Sequence, residues 1–159
     1  MVTKENKTML KFDTNNNPYL EEIEVEVVSI LNDIDATLSV VADFDKIVKL
    51  SESLFDKIYN TYDRDLLRDV TMSLGSLEPD NLKNVSRYTF MTKKVENDLN
   101  RLQEICDEMS YDASEVSSKP FSDRTTDDDM LVDAYLYFYD EVYEKVRKAV
   151  NKAFPGFRF

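Results

Sequence analysis

The amino-acid sequence predicts an all-α fold, a single-domain bundle of four to five helices with a polar N-terminal arm and a short aromatic C-terminal tail. Only two glycines and four prolines occur in 159 residues. No Asn-Gly or Asp-Gly dipeptide is present to turn a β-hairpin. Apolar residues, 42% of the chain, instead recur every three or four positions, the period of a helix with one buried face.

The N-terminal arm covers residues 1–17, which show no helical period, and we expect it to be mobile or to lie on a partner. The stretch DTNNNPYLEEIE, Asp13 to Glu24, has oxygen-bearing side chains at five positions of a calcium-binding EF-hand loop. The sixth position of such a loop is a glycine with positive φ, whereas here it is Pro18, whose φ is fixed at about −65°. We therefore interpret the stretch as a helix start, with Asn17 as the cap.

The helical bundle is predicted over residues 18–154, and its first helix carries a heptad-like apolar seam. The seam comprises Leu20, Ile23, Val27, Leu31, Ile34, Leu38 and Val41, and it continues through Phe44, Ile47, Leu50, Leu54 and Ile58. The cluster Asp43-Phe44-Asp45 lies between these two stretches, and we expect a break or kink there.

Two further helices are predicted over residues 63–74 and 82–109. The first is short and is stopped by Gly75, with Pro79 beyond it. The second is long and keeps apolar residues three to four positions apart throughout. Residues 111–125, rich in Ser and Asp and without a sustained period, predict a long connection to the last helix.

The last helix has the clearest end signals in the chain. Thr126 is its predicted cap, and three aspartates follow in the first turn, where the positive end of the helix dipole favours them. Pro155 and Gly156 are predicted to stop it and to leave a tail over residues 155–159.

The residue types argue against an enzyme. Without histidine the chain lacks the usual general base at neutral pH, and two glycines cannot build a phosphate-binding loop. The one cysteine, Cys106, is predicted to be a packed core thiol on the long helix, beside the carboxylates of Glu104 and Asp107. We expect no catalytic residue, no metal and no cofactor; an enzyme subunit with carboxylate chemistry is the weakest of three hypotheses.

The chain is expected to be cytoplasmic and to make no membrane contact. No apolar run approaches the roughly 20 residues of a membrane span, and the N-terminus lacks the apolar core of a signal peptide. A single cysteine also fits a reducing compartment. The Asn-, Lys- and Ile-rich composition suggests an AT-rich genome, such as that of a phage, in which case the host cytoplasm or the virion is the predicted location.

Charge predicts the kind of partner. The 32 acidic and 20 basic residues give a net charge of −12, which argues against direct nucleic-acid binding because phosphates are bound by Lys and Arg. Two acidic faces are candidates for contact with a basic protein surface. One is on the first helix and comprises Glu21, Glu22, Glu24 and Glu26; the other comprises Asp129, Asp133, Asp140 and Glu144. At α-helical spacing the second set forms one stripe about 22 Å long; a solvated outer face is the alternative interpretation.

Aromatic residues mark a second type of candidate contact. Tyr137 and Tyr139 are predicted to point away from the buried side of the last helix, and tyrosine is favoured at protein interfaces. Phe157 and Phe159 give the tail two large apolar groups. Docking of the tail onto a partner competes with packing of the tail on its own bundle.

Together these features predict a non-enzymatic, acidic, helical protein-interaction protein that acts as a subunit of a larger assembly, through a protein partner or self-association. The alternative is an acidic mimic of nucleic acid that inhibits a DNA- or RNA-binding enzyme, such as a bacterial defence nuclease. Binding through apolar contacts should survive high salt, whereas binding of a mimic should weaken steeply.

Overall fold

The prediction of an all-α fold is confirmed. The computed structural model describes residues 10–60, 64–85, 87–157 and 159; it is 83% helical, without a strand among those residues. The helices are α1 (Pro18–Tyr59), α2 (Arg64–Leu74), α3 (Pro79–Lys83), α4 (Lys93–Ser117), α5 (Thr126–Tyr137) and α6 (Glu144–Ala153). A π-helical segment, Phe138–Tyr143, joins α5 to α6. In the described ranges no helix has the length and apolar character needed to cross a membrane.

The chain divides into two compact units. The first unit comprises residues 1–38 and 92–159, and the second unit comprises residues 39–91. Helix α1 contributes its N-terminal half to the first unit and its C-terminal half to the second. That the chain folds as a single domain stays a prediction.

The core of the first unit is formed by α1, α4 and the continuous helix made of α5, the π-helical segment and α6. Its fully buried side chains include Leu20, Val27, Ile34, Leu99, Leu102, Phe138, Val142, Val146 and Val150. Each recurs at helical spacing within its own element, so one face of every helix is removed from water. Burial of each such side chain is worth about 1.5–3 kcal/mol relative to exposure, which makes this core the main source of stability.

The predicted start of α1 is confirmed. The side-chain oxygen of Asn17 accepts a hydrogen bond from the backbone N–H of Tyr19 at 2.9 Å, and Pro18 is the first helical residue. The positive φ angles in this stretch belong to Asn15 and Asn16, just before the cap. The side-chain amide of Asn17 also donates to the carbonyl of Met130 at 2.8 Å, which ties the helix start to α5.

The prediction that the N-terminal arm is mobile or lies on a partner is wrong for residues 10–17. Leu10 is buried, and the Phe12 ring lies 6.0 Å from the ring of Tyr137 and 6.4 Å from that of Phe138. Residues 10–17 therefore pack on the chain itself, with the Phe12 ring against the last helix. Residues 1–9 lie outside the described residues.

Of the break or kink expected at Asp43-Phe44-Asp45, the break is wrong, because α1 runs through this cluster without interruption. No glycine or proline occurs between Pro18 and the end of the helix to break it. Each of the three side chains is also compatible with a continuous helix. Asp43 is exposed, Asp45 pairs with Arg87 at 2.8 Å, and Phe44 contacts Phe90 with the ring centres 5.7 Å apart.

The predicted helix over residues 63–74 is confirmed as α2, whereas the long helix predicted over 82–109 is displaced. Helix α4 begins after Thr92, whose hydroxyl accepts a hydrogen bond from the backbone N–H of Val95 at 3.2 Å. Its apolar period continues through the buried Ala113 and Val116, so the helix extends to Ser117. The predicted long connection over 111–125 is therefore half helical.

The last helix is capped by Thr125 and not, as predicted, by Thr126. The Thr125 hydroxyl accepts from the backbone N–H of Asp128, and the Asp128 carboxylate accepts from the backbone N–H of Thr125, both at 3.1 Å. Both threonines have an aspartate three positions later, as such a reciprocal capping box requires. The aspartate that follows Thr125, Asp128, is also held by Lys119 at 3.0 Å. The helix ends at Ala153, followed by the buried Phe154 and by Gly156 with a φ of 91°, as the predicted stop requires.

Candidate interaction surfaces

The acidic candidates on the last helix do not form the predicted straight stripe. That stripe assumes α-helical spacing from Asp129 to Glu144, but the π-helical segment lies in between. A π-helical turn contains one extra residue, which rotates everything after it by about 100° relative to an unbroken α-helix. Asp129, Asp133 and Asp140 are exposed. Glu144 is 20% exposed and bound to Arg147 at 2.8 Å, which lowers the pKa of the Glu144 carboxyl.

A burial pattern explains the π-helical segment. Ala134, Phe138, Val142, Val146 and Val150 are all buried and follow one another at a strict spacing of four. In an unbroken α-helix each such step would turn the side chain by about 40° around the axis, so the series would leave the core. The wider π-helical turn reduces that drift and keeps all five side chains on the buried face. The strict spacing of four was the signal in the sequence from which this segment could have been predicted.

The acidic candidates on α1 are all exposed but differ in whether another side chain binds them. Glu21, Glu22 and Glu24 are exposed, as is Glu26. Glu26, however, is bound by the Arg101 guanidinium of α4 through two hydrogen bonds of 2.7 and 3.2 Å, and this contact lowers the pKa of its carboxyl. Glu26 therefore joins two helices. Within the described part of the chain, Glu21, Glu22, Glu24, Asp129, Asp133 and Asp140 make no ion pair.

Most of the aromatic candidates make contacts within the first unit. The Tyr137 hydroxyl accepts a hydrogen bond from the backbone N–H of Asp13 at 2.7 Å. Tyr139 stacks on Tyr143, with the ring centres 5.9 Å apart, and keeps about a third of its surface exposed, 38%. The Phe159 ring lies 5.5 Å from Tyr143.

The tail therefore packs on its own bundle and does not extend away from it as a free docking segment. Phe157 is half-buried, and its backbone N–H donates to the carbonyl of the buried Phe154 at 2.9 Å. Of the four aromatic candidates, Tyr139 presents the most open surface.

The cysteine and the carboxylates beside it have structural roles. Cys106 is buried, as predicted, and its burial raises the pKa of the thiol to about 11. Glu104 pairs with Arg101 at 3.2 Å, and Asp107 accepts a hydrogen bond from the amide of Gln103 at 3.0 Å. Among the residues that the structure describes, no group of three or more cysteine or carboxylate side chains is arranged to hold a metal ion.

A surface that sequence reasoning missed lies on the second unit. It is an apolar groove of about 190 Å³, lined by Ile47, Leu50, Ser51, Leu54, Phe55, Leu77 and Leu82. The Ser51 hydroxyl donates a hydrogen bond to the carbonyl of Leu77, which fixes the turn Gly75–Leu77 against α1. Leu50 is 69% exposed and Leu54 48%. The seam predicted on α1 therefore continues into this unit, but its apolar side chains are left in contact with water.

Helix α2 also has exposed apolar side chains in the same unit. Leu66, Met72 and Leu74 are all exposed, Met72 by 78%. Within the chain, α2 contacts the adjoining turn Gly75–Leu77. Throughout the second unit, the described side chains that are buried are those of Val41, Ser51 and Phe55. The second unit therefore has many apolar residues but few buried side chains among those described.

Charge is distributed unevenly between the units. The second unit has seven basic and nine acidic residues, a net charge of −2, whereas the first has 13 basic and 23 acidic residues, a net charge of −10. At the edge of the groove, Lys46 and Lys57 are exposed, and Lys49 is exposed on the opposite side of α1. None of the three makes an ion pair with any described residue. The groove is thus an apolar surface with a basic edge in a nearly neutral unit.

Comparisons of this chain with protein-family models, with curated proteins and with solved structures found no match.

Proposed function

We propose that this chain is a non-enzymatic, acidic, helical protein-interaction protein, a subunit of a larger protein assembly, and that it binds through its second unit. The observation that supports this proposal is the exposed apolar groove on α1. Ile47, Leu50 and Leu54 lie on one side of the helix, and a contiguous apolar patch of this kind marks a site of protein interaction more often than a free surface.

The exposed apolar side chains of the groove are a source of binding free energy. Moving a leucine side chain completely out of water gains about 1.5–3 kcal/mol. Ile47, Leu50 and Leu54 are between 48% and 69% exposed, so covering each of them gains roughly half of that. Few of the described side chains of the second unit are buried. Its exposed leucines are therefore better explained by a surface that a partner covers than by the needs of its own core.

The experiment is affinity capture from a lysate of the source cell at about 100 mM and then about 500 mM salt, a range over which exposed charge contacts are screened. A partner that is held by apolar contacts is retained at the higher salt. Loss of every captured protein between the two salt concentrations would contradict the proposal.

The alternative function, an acidic mimic of nucleic acid that inhibits a DNA- or RNA-binding enzyme, is supported by a different observation. The first unit has a net charge of −10, and Asp129, Asp133 and Asp140 are exposed on it. The mimic predicts capture of a basic enzyme that is lost at high salt and lost when these three aspartates are changed to lysine. Retention of the enzyme by that triple variant would exclude the mimic.

A further inference from the structure

We propose that the groove of the second unit binds helix α2 of a second copy of this chain, so that two copies form a symmetric dimer. This inference rests on the proposed function, because it identifies the partner that covers the groove. The groove and the helix belong to the same unit. A two-fold dimer therefore makes the contact twice, once in each direction.

The dimensions of the two surfaces match. Ile47, Leu50 and Leu54 span about two turns of α1, or about 10 Å. Helix α2 has 11 residues, a length of about 16 Å, and covers that span with a turn to spare. An amphipathic helix that lies in an apolar groove is a common form of protein recognition.

The apolar side of α2 is well defined. Leu66, Leu67 and Leu74 fall within about 100° around the helix axis. Leu66 is 49% exposed and Leu74 is 36% exposed. Such a stripe is the kind of surface that an apolar groove of leucine and isoleucine would cover.

The charges at the edges of the two surfaces are complementary. On one side of the α2 stripe lie Asp65 and Asp69, both exposed. On α1, Lys46 and Lys57 lie within about 40° of Leu50 around the helix axis, at the edge of the groove. Among the described residues, Asp65 forms an exposed ion pair with Arg68, at 3.2 Å in its own helix, and such a pair costs little to rearrange. Lys46 and Lys57 are about 16 Å apart along α1, and Asp65 and Asp69 are about 6 Å apart along α2. A second copy of α2 in the groove would therefore bring its aspartates to one of these two lysines.

The overall charge is compatible with self-association at this surface. Two chains of net charge −12 repel each other, but ten of the twelve negative charges belong to the first unit. The second unit, at −2, is the part of the molecule where two copies meet with the least repulsion. A partner with a strongly basic surface would instead favour the first unit.

The test is sedimentation equilibrium of the full chain, with Leu50→Asp as the groove variant and Leu136→Asp as the matched control. Leu136 is an exposed leucine, 50%, on the first unit. We expect the wild-type chain and Leu136→Asp to be dimers, and the dissociation constant of Leu50→Asp to rise by about 30-fold or more, as at the centre of an interface. Circular dichroism checks that both variants remain helical.

A charge exchange tests the identity of the occupant. Lys46→Glu with Lys57→Glu should weaken the dimer, and adding Asp65→Lys with Asp69→Lys to the same chain should restore it. Failure of the second pair to restore the dimer, or a dimer that Leu50→Asp leaves unchanged, would overturn the proposal that α2 occupies the groove.

A wild-type chain that is monomeric throughout the concentration range would also overturn it. In that case, capture of a different protein by the wild type, lost in Leu50→Asp, would leave the proposed function standing. If the wild type also captures no other protein, both the proposed dimer and the proposed function are contradicted.

Discussion

Arg101 of α4 and Glu26 of α1 form a two-bonded ion pair, with nitrogen–oxygen distances of 2.7 and 3.2 Å. The pair joins α1 to α4 at the surface of the first unit and uses one of the carboxylates that the sequence offered for binding a partner. The contribution of this ion pair to the free energy of unfolding is limited because both side chains remain partly in water, 37% exposed for Arg101 and 45% for Glu26.

We predict that Glu26→Gln lowers the free energy of unfolding by about 0.5–1 kcal/mol at pH 7, the value of a well-formed but exposed pair. Hydrogen bonding to Arg101 lowers the pKa of Glu26 in the folded state. Its stabilisation is therefore present above the unfolded-state pKa and is lost as the pH falls through the lower, folded-state pKa. Urea unfolding of both chains at pH 7 and at acidic pH measures this.

Glu24→Gln is the matched control for that prediction, since Glu24 is exposed on the same helix and makes no ion pair with a described residue. Its unfolding free energy should stay close to that of the wild type at both pH values. An equal loss in the two variants would show that the ion pair contributes nothing.

The cap of the last helix provides a second test. Thr125→Ala removes the hydroxyl that accepts from the N–H of Asp128 and should cost about 1 kcal/mol. Thr126→Ala changes the neighbouring residue, which is already inside α5, and should cost clearly less. Thermal unfolding of the two variants decides between the capping residues, and a larger loss in Thr126→Ala would contradict the observed capping box.

The cysteine gives a third prediction, about access to the core. Burial raises the pKa of the Cys106 thiol to about 11, so that little thiolate is present at pH 8 and reagent must wait for the helix to open. Reaction with an aromatic disulfide reagent should be slow in buffer and immediate in denaturant. In the Cys106→Ala background, a cysteine at the exposed Ser117 should react at once in both conditions. Fast labelling of Cys106 in the native protein would show that this part of the core is open.

The tail gives a fourth prediction. Phe159→Ala removes a ring that lies 5.5 Å from Tyr143 and should lower the unfolding free energy by about 0.5–1.5 kcal/mol, the range for an aromatic pair. It should leave partner capture unchanged, because the tail packs on its own chain. Loss of the partner with no loss of stability would restore the interpretation of the tail as a docking segment.

Local chemistry explains which parts of the fold could be predicted. The start of α1 was predictable because Asn17 and Pro18 satisfy helix-start geometry by themselves, whereas Thr125 and Thr126 are equivalent in sequence. The choice between the two threonines depends on Asp128, which Lys119 holds from across the connection at 3.0 Å. Proximity of this kind arises only in the folded chain.

The candidate site was harder to predict, because periodicity shows which residues share a face but not what covers that face. Leu31 and Leu54 belong to the same seam of α1, yet Leu31 is buried and Leu54 is exposed. The difference is that α4 and the last helix contact the first half of α1 and its cap, whereas the helices described between residues 64 and 90 are short. The lengths of the helices, more than their periods, decide where apolar surface is left open.

The central claim, that the second unit holds a protein partner through apolar contacts, is tested most directly by comparing capture by Leu54→Asp and Leu136→Asp at about 500 mM salt. The two leucines are equally exposed, 48% and 50%, and lie on different units. The account predicts that Leu136→Asp retains the partner, or the second copy, that the wild type holds and that Leu54→Asp loses it. Retention of the partner by Leu54→Asp, or its loss by the wild type itself at this salt, would contradict the claim.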